Sequence, residues 1–285
     1  MSERPIEAVA VLGAGTMGSG IAQVAAVAGY EVVLYDVSQE RVDAGLATIQ
    51  RNLAKGVERG KLAAADADAT RGRLRAITAL GDAAHVQLAI EAVPENLGLK
   101  VQVLGELAAH LAPDAVLASN TSSLCLTELA AALPDPSRVV GMHFFNPVHL
   151  MKLLEVVRAH QTSDRVLAQV REVGERMGKE VIVVRDMPGF ASSRLGIALG
   201  MEAIRMLEEG VASAAEIDKA MKLGYGHPMG PLELTDLVGL DVRMAIGEYL
   251  QRELGGDHFR PPQLLKRLVR AGKLGRKTGE GFYKY

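Results

Sequence analysis

The stretch Gly13-Ala14-Gly15-Thr16-Met17-Gly18 matches the pattern G-x-G-x-x-G and stands between an apolar run at 6–12 and helically spaced apolar residues at 17–28. Gly13 permits a tight turn, Gly15 lets the backbone approach a pyrophosphate, and Gly18 lets helix and strand pack closely. The amides of Thr16 and Met17, at the start of the helix, would face the phosphates. The stretch therefore predicts a dinucleotide-binding loop, and the competing interpretation is a glycine turn without a ligand.

A second apolar run, at 32–35, ends at Asp36. A carboxylate in this position accepts hydrogen bonds from the ribose hydroxyls of a dinucleotide and repels a 2′-phosphate. Since neither Val37 nor Ser38 supplies a compensating arginine, the sequence favours NAD over NADP. The order of strand, helix and strand also predicts a parallel unit with a right-handed crossover.

Further apolar runs follow this unit, and helical patterns separate several of them. The predicted strands lie at 88–91, 116–119, 139–142, 153–157 and 181–184, with helices at 101–111, 127–133 and 164–177 and two more within 39–79. Such alternation is typical of a doubly wound, Rossmann-like sheet with helices on both faces, which is an α/β fold.

Only helical patterns follow the turn-rich sequence 186–189. They lie at 192–209, 214–223, 232–254 and 262–271, and Ser213 with Glu216 matches a capping box for the second of them. We therefore predict two domains, a Rossmann-like NAD-binding domain at 1–186 and an all-helical domain at 187–285.

The composition narrows the class of protein. The 285 residues carry 32 basic and 34 acidic side chains, a formal net charge of −2, which gives no indication of a nucleic-acid or membrane-surface partner. No apolar run approaches the ~20 residues that a membrane helix needs. The single cysteine, Cys125, excludes an intrachain disulfide, fits a reducing compartment and is expected to be buried. We expect a soluble cytoplasmic protein.

A second motif, His143-Phe144-Phe145-Asn146-Pro147, follows a predicted strand, and Glu155 lies on the next one. A carboxylate beside a histidine can fix the imidazole tautomer and stabilise the imidazolium that forms when a hydroxyl proton is taken. Transfer of a hydride from the same carbon to a nicotinamide would complete the oxidation of an alcohol. From the spacing alone, a hydrogen-bonded structural histidine is the commoner case. His143 and His149 have no third ligand at a recognisable spacing, so no metal site is predicted.

A third group of polar residues, Ser119-Asn120-Thr121-Ser122-Ser123, follows the predicted strand at 116–119. Ligands of open parallel sheets bind at this carboxyl edge. The hydroxyls and the amide could bond a nicotinamide ribose and a substrate oxygen there. The alternative is that Ser122 or Ser123 simply caps the next helix.

Together with four further motifs, these residues resemble the L-3-hydroxyacyl-CoA dehydrogenase family, especially its short-chain 3-hydroxybutyryl-CoA type. The further motifs are Glu91-Ala92-Val93-Pro94-Glu95-Asn96, Pro188-Gly189-Phe190, His227-Pro228-Met229-Gly230-Pro231 and Lys277-Thr278-Gly279-Glu280-Gly281-Phe282-Tyr283. The resemblance covers almost the whole chain. It implies reversible, NAD-dependent oxidation of a (3S)-3-hydroxyacyl-CoA, as in fatty-acid β-oxidation.

The resemblance also implies roles for individual residues. His143 would be the acid/base, oriented by Glu155, with Ser122 and Asn146 beside the substrate oxygen. The implied cofactor contacts outside the glycine loop are Asp36, Glu95, Lys100, Asn120 and Lys277. A homodimer formed by the helical domain, which closes over the acyl-CoA, is implied as well.

The region between Asn52 and Lys61 resembles the helical region that meets the phosphates of coenzyme A. The candidate contacts are Asn52, Lys55 and Arg59. Solvated helix charges are the competing interpretation.

One position departs from the family pattern. Where the family usually has an asparagine that reaches the substrate from the second domain, this chain has Ser193, followed by Arg194. A hydroxyl is shorter than a carboxamide and offers one donor where the carboxamide offers two. Loss of a preorganised donor costs on the order of 2.7–4 kcal/mol of transition-state stabilisation. Two alternatives therefore stay open, a dehydrogenase of a free hydroxy acid or sugar acid and a catalytically weak binding homologue.

Overall fold

The computed structural model describes residues 5–285, which divide into two compact units, with the division after Asp186. The first unit is built on one eight-stranded sheet, and the second is helical. The predicted fold class, a Rossmann-like sheet domain followed by a helical domain, is confirmed. Among residues 5–285, no helix combines the length and the apolar character needed to span a membrane.

The sheet has the strand order β3-β2-β1-β4-β5-β6-β7-β8. Its strands are β1 Ala8–Leu12, β2 Glu31–Tyr35, β3 Leu74–Ile77, β4 Leu88–Glu91, β5 Val116–Ser119, β6 Val139–Phe144, β7 Leu153–Arg158 and β8 Glu180–Arg185. All neighbours pair in parallel except β6 and β7, which are antiparallel. The order reverses direction between β1 and β4, and ligands of such sheets bind outside the carboxyl ends of the strands at this point.

Six α-helices lie among residues 5–186. They are α1 Thr16–Val27, α2 Gln39–Glu58, α3 Ala64–Gly72, α4 Leu97–Ala108, α5 Leu126–Ala131 and α6 Asp164–Arg176. Every residue of β1, β4, β5 and β6 is buried, as expected for central strands that are covered on both faces. The centre of the sheet is therefore a rigid base for the side chains at its carboxyl edge.

The second unit contains five further helices around its own apolar core. They are α7 Ser192–Glu208, α8 Ala214–Gly224, α9 Pro231–Val238, α10 Leu240–Leu254 and α11 Gln263–Arg270. The capping box of Ser213 and Glu216 at the start of α8 is confirmed. The core side chains include Ile197, Met201, Leu232, Leu250 and Phe259.

Three expectations about the fold are wrong. The region 39–79 holds a strand, β3, in addition to two helices, because a half-exposed edge strand of four residues carries little apolar signal. The helix predicted at 232–254 is two helices, interrupted at Gly239, whose φ of 107° lies outside the helical region. Cys125 is exposed, since it stands in the loop just before α5.

Candidate active site

The glycine loop lies at the carboxyl end of β1 and fits the residue types that its pattern requires. Gly13 has a φ of +104°, and a Cβ atom there would lie 2.8 Å from the carbonyl oxygen of Ala92. A Cβ atom on Gly18 would overlap with the carbonyl oxygen of Gly13. Both positions therefore require glycine. Gly13 needs it for its positive φ and for the nearby Ala92 carbonyl, and Gly18 needs it for the nearby Gly13 carbonyl.

The start of α1 offers the kind of site that a pyrophosphate needs. Gly15 is the N-cap, it makes no side-chain capping bond, and the first turn contains no acidic residue. Nothing lies within 4 Å of the position that a Cβ atom of Gly15 would occupy. The first amides of α1 and the positive end of its dipole are thus available to phosphate oxygens, so the residues present fit a dinucleotide.

Asp36 follows β2 and holds the glycine loop. Its Oδ2 accepts a hydrogen bond from the amide of Ala14 at 2.9 Å, and its Oδ1 accepts one from the amide of Val37 at 2.8 Å. The guanidinium of Arg41, on the first turn of α2, lies 3.7 Å from Oδ1. Sequence reasoning considered only the two residues after Asp36 and missed this arginine, although one turn of helix brings it within range.

His143 and Glu155 form a buried pair on neighbouring strands. They are direct partners in the antiparallel register of β6 and β7, and the histidine Nδ1 lies 2.8 Å from Oε2 of Glu155. His143 is 7% exposed and Glu155 is fully buried. The ring of Phe145 packs against the imidazole at a centroid distance of 4.6 Å. Strand pairing, side-chain contact and burial thus all fix the orientation of the imidazole.

The segment after His143 is held by a lysine that the sequence did not single out. Asn146 is exposed and precedes Pro147 in a cis peptide bond. The ammonium of Lys179, which is buried, donates hydrogen bonds to the carbonyl oxygens of Val148 at 2.5 Å and Met151 at 2.8 Å. Burial lowers the pKa of Lys179. This side chain fixes the loop that carries Asn146 at the carboxyl end of β6.

A cluster of charged side chains, two of them buried, lies at the carboxyl ends of β4 and β5. The ammonium of Lys100, which is 1% exposed, lies 2.7 Å from Oε1 of Glu91 and 3.2 Å from Oε2 of Glu95. Burial raises the pKa of Glu91, and this outweighs the opposing effect of Lys100. Burial also acts to raise the pKa of Glu95, but the Lys100 ammonium and the hydrogen bond from Thr121 outweigh it, so the pKa of Glu95 lies below its usual range.

The same carboxylates anchor the polar loop after β5. Oε1 of Glu95 accepts hydrogen bonds from the Thr121 hydroxyl at 2.6 Å, the Ser122 amide at 2.9 Å and the Ser123 amide at 3.2 Å. The hydroxyl of Ser119 donates to Glu91 at 2.6 Å. The N-cap of α5 is Cys125, so the alternative that Ser122 or Ser123 caps this helix is wrong.

Asn120 connects this loop to the strand of the histidine. Its Oδ1 accepts a hydrogen bond from the amide of Phe144 at 2.9 Å. Ion pairs and hydrogen bonds thus form one network of Glu91, Glu95, Lys100 and the loop at 119–123. Asn120 ties this loop to the strand that carries His143. Glu91 is the member that sequence reasoning missed as a functional residue, although the quoted motif begins with it.

The candidate coenzyme A contacts share one face of α2, at spacings of three and four residues. Asn52 donates to the side-chain oxygen of Gln23, on α1, at 3.0 Å. Lys55 is exposed in the last turn, and Arg59 is the exposed C-cap. The three side chains thus lie together at one end of the helix.

Two expected site residues belong to the helical unit. Ser193 lies in the first turn of α7 and is half-buried. The ammonium of Lys277 pairs with Asp241 at 2.6 Å, and this hydrogen bond holds the pKa of Asp241 below its usual range. Among residues 5–285, no group of three or more side chains is arranged to hold a metal ion.

Comparison with known proteins gives consistent matches along the whole chain. Residues 8–187 match the family model described as 3-hydroxyacyl-CoA dehydrogenase, NAD binding domain, and residues 189–285 match its C-terminal domain. A probable 3-hydroxybutyryl-CoA dehydrogenase of Deinococcus radiodurans is 48% identical over 275 residues, 96% of this chain and 99% of the relative. One from Bacillus subtilis is 45% identical over 280 residues, 98% of each chain. The crystal structure of (S)-3-hydroxybutyryl-CoA dehydrogenase from Ralstonia eutropha matches with a TM-score of 0.95 and 43% identity, over 98% of this chain and 99% of that one.

Proposed function

The chain belongs to the 3-hydroxyacyl-CoA dehydrogenase family, whose members are NAD-dependent oxidoreductases, and we propose that His143 is the acid/base of its reaction. The reaction is the reversible oxidation of a 3-hydroxyacyl-CoA to the 3-oxoacyl-CoA. The (3S)-3-hydroxybutyryl thioester is the first candidate substrate. The relatives from D. radiodurans and B. subtilis are named as probable 3-hydroxybutyryl-CoA dehydrogenases, and the enzyme from R. eutropha is named as an (S)-3-hydroxybutyryl-CoA dehydrogenase. The buried His143–Glu155 pair is the observation that carries the proposal.

The pair supplies a proton acceptor of defined orientation. An ionised Glu155 accepts a hydrogen bond only, so Nδ1 of His143 carries the hydrogen and Nε2 carries the lone pair. Nε2 takes the proton of the substrate hydroxyl, and the adjacent carboxylate stabilises the resulting imidazolium. In the reverse direction the same imidazolium returns the proton to the oxygen of the 3-oxo group.

NAD, when bound, accepts the hydride that leaves the carbon bearing the hydroxyl. The amides at the start of α1 would hold its pyrophosphate, and Asp36 would hold its adenosine ribose. Asn120 and the loop anchored by Glu95 lie at the carboxyl edge of the sheet, where they would hold the nicotinamide half of the cofactor. Lys100 and Lys277 complete the set of residues that we assign to the cofactor.

We assign substrate contacts to both units. Ser122 and Asn146, at the carboxyl ends of β5 and β6, position the reacting oxygen, and Ser193 contributes from α7. Asn52, Lys55 and Arg59 bind the phosphates of coenzyme A with one face of α2. We accordingly assign NAD binding to residues 1–186 and, to residues 187–285, the role of a substrate-capping domain.

The helical unit also carries the surface on which we base a homodimer. Large apolar side chains are exposed on α8, α9 and the segments beside them, among them Leu223, Tyr225, Leu237 and Val238. Several large apolar side chains exposed on consecutive helices are a feature of protein–protein contact surfaces. Light scattering of the purified protein tests the dimer, and a mass of 30.3 kDa for the particle, that of one chain, would contradict it.

We also propose that the protein is cytoplasmic, because its single cysteine fits a reducing compartment.

The function is tested by following NADH consumption with acetoacetyl-CoA and, separately, with free acetoacetate. We expect robust turnover of the thioester and little turnover of the free acid, because the acid lacks the coenzyme A contacts of α2. Turnover of only the free acid would overturn the thioester assignment. No turnover of either would favour a homologue that binds without catalysing.

A further inference from the structure

Glu91, the last residue of β4, is a fully buried carboxylate at the point where the strand order reverses direction. In the register of the sheet it is the direct neighbour of Leu12 on β1 and of Ser119 on β5. It thus stands between the strand that ends at the glycine loop and the strand that ends at the polar loop 119–123. The proposed reaction uses residues on either side of Glu91 but not Glu91 itself.

Three donors from different segments of the chain converge on the Glu91 carboxylate. Its Oε1 accepts hydrogen bonds from the Lys100 ammonium at 2.7 Å and the Val93 amide at 2.6 Å, and its Oε2 accepts one from the Ser119 hydroxyl at 2.6 Å. Lys100 and Ser119 are themselves buried. Hydrogen bonds to an ionised group in such surroundings are stronger than bonds between neutral groups. Glu91 therefore ties α4, the turn after β4 and the end of β5 to one another.

The hydrogen bond from Ser119 continues into the polar loop. The Ser119 hydroxyl accepts a hydrogen bond from the amide of Thr121 at 3.3 Å, and the Thr121 hydroxyl accepts one from the amide of Leu124 at 2.9 Å. A serine hydroxyl carries one hydrogen, so its donation to Glu91 turns its lone pairs towards the amide of Thr121. The carboxylate thus sets the direction of the Ser119 hydroxyl, and the hydroxyl fixes the start of the loop.

We propose that Glu91 is a positioning residue, which acts through Ser119 to order the loop 119–123 for the nicotinamide half of the cofactor before the cofactor binds. This inference rests on the proposed function, in which Asn120 and the loop hold that half. Asn120 follows Ser119 directly, and its Oδ1 accepts a hydrogen bond from the amide of Phe144. A Ser119 that loses its fixed position therefore takes Asn120 with it.

The substitution Glu91→Gln separates this role from the other contacts of the carboxylate. A carboxamide keeps one oxygen, which would serve the Lys100 ammonium and the Val93 amide, since an NH2 group in that place would face two donors. The NH2 group would then point at Ser119, whose hydroxyl loses its acceptor in a site closed to solvent. Ser119→Ala removes the same hydrogen bond from the other side. The two variants should therefore share one defect, which is a loop that is no longer held.

The test compares the binding of NADH with the binding of ADP, which lacks the nicotinamide half. Titration calorimetry gives Kd of both ligands for the wild type, for Glu91→Gln, for Ser119→Ala and for the double variant. Hydrogen exchange at the amides of Thr121 and Ser122 in the ligand-free protein reports on the loop itself. Glu106→Gln, at an exposed position on the neighbouring helix α4, is the control. Thermal unfolding shows whether each variant is folded.

We expect Glu91→Gln and Ser119→Ala each to raise Kd for NADH about tenfold or more, because a hydrogen bond to a charged group is lost. Exchange at the amides of Thr121 and Ser122 should become faster, and Kd for ADP should stay unchanged. Because both substitutions remove the same contact, the double variant should bind NADH about as weakly as the weaker single variant. Glu106→Gln should behave as the wild type does.

Unchanged NADH binding in Glu91→Gln would overturn the inference. Equal losses of NADH and ADP binding would also overturn it, because they indicate a general loss of structure, and so would effects that multiply in the double variant. If Glu91→Gln does not fold, the comparison of NADH with ADP in Ser119→Ala decides the inference. A wild type that binds NADH no more tightly than ADP would instead contradict the assignment of the loop to the nicotinamide half, and with it the proposed function.

Discussion

Replacing Lys100 with methionine should destabilise the protein strongly, and more at alkaline than at acid pH. The substitution keeps an unbranched apolar stem as long as that of lysine but removes the ammonium that lies 2.7 Å from Glu91 and 3.2 Å from Glu95. Both Lys100 and Glu91 are essentially inaccessible to solvent. Removing one partner of a buried pair costs about 3–5 kcal/mol, because an uncompensated charge stays behind. We expect a loss of that size in the free energy of unfolding at pH 7.5.

The pH dependence follows from the carboxyl groups that remain. Burial already raises the pKa of Glu91 in the wild type, and without Lys100 the folded variant holds protons on Glu91 and Glu95 to higher pH. A folded state that binds more protons than its unfolded state loses stability as pH rises. The difference in the free energy of unfolding between wild type and variant should therefore shrink as the pH falls towards the ordinary pKa of glutamate. It should grow as the pH rises above that value.

The assay is urea unfolding followed by circular dichroism, since the chain contains no tryptophan for fluorescence. Lys152→Met, at an exposed position in the same unit, is the control and should change stability by about 0.5 kcal/mol or less. Hydrogen exchange at the amides of Ser122 and Ser123, which donate to Glu95, gives a local readout. A deficit below about 1 kcal/mol, or one that grows as pH falls, would refute the reasoning.

Three further predictions concern the site. Glu155→Gln should lower kcat by about 10²–10⁴-fold with little change in KM for the thioester, because the imidazole loses the carboxylate that orients it. Steady-state kinetics measure both constants, and a change in KM alone would contradict this prediction. Gly18→Ala should abolish measurable NADH binding in a titration, because the new methyl group overlaps with the Gly13 carbonyl, whereas Gly72→Ala, with open space around it, should bind normally. Asp36→Ala should raise KM for NAD roughly tenfold and lower the ratio of kcat/KM for NAD to that for NADP. An unchanged ratio would be evidence against the ribose contact.

The sequence predicts most of the sheet and the class of cofactor. The central strands are continuous apolar runs because both of their faces are covered, and such runs are visible without any structure. The family resemblance and the use of NAD are likewise confirmed by the matches at 8–187 and 189–285. Strand β3 escaped prediction because it lies at the edge of the sheet with most of its residues partly exposed.

The antiparallel pairing of β6 and β7 had a signal that the sequence analysis did not use. Only the residues between Phe144 and Leu153 connect the two strands, whereas a parallel crossover needs about a dozen or more. This pairing is what sets His143 directly opposite Glu155. The spacing of the two residues suggested a pair, and the short connection would have predicted that the two strands run antiparallel.

The rest of the site depends on contacts that local sequence does not encode. Lys100 and Glu91 are nine positions apart, but their burial depends on the packing of α4 against the sheet. Lys179 carries no sequence signal at all, because a lysine is ordinarily solvated. Its role becomes evident only when the carbonyl oxygens of Val148 and Met151 are in place around its ammonium.

The central claim is that His143 exchanges the proton with the substrate oxygen. The most direct test is the rate of NADH oxidation by His143→Gln with saturating acetoacetyl-CoA, beside His110→Gln, which changes an exposed histidine. We predict that His143→Gln lowers kcat by about 10²–10⁴-fold with NADH binding unchanged, and that His110→Gln is normal. A His143→Gln variant with near-normal kcat would contradict the claim.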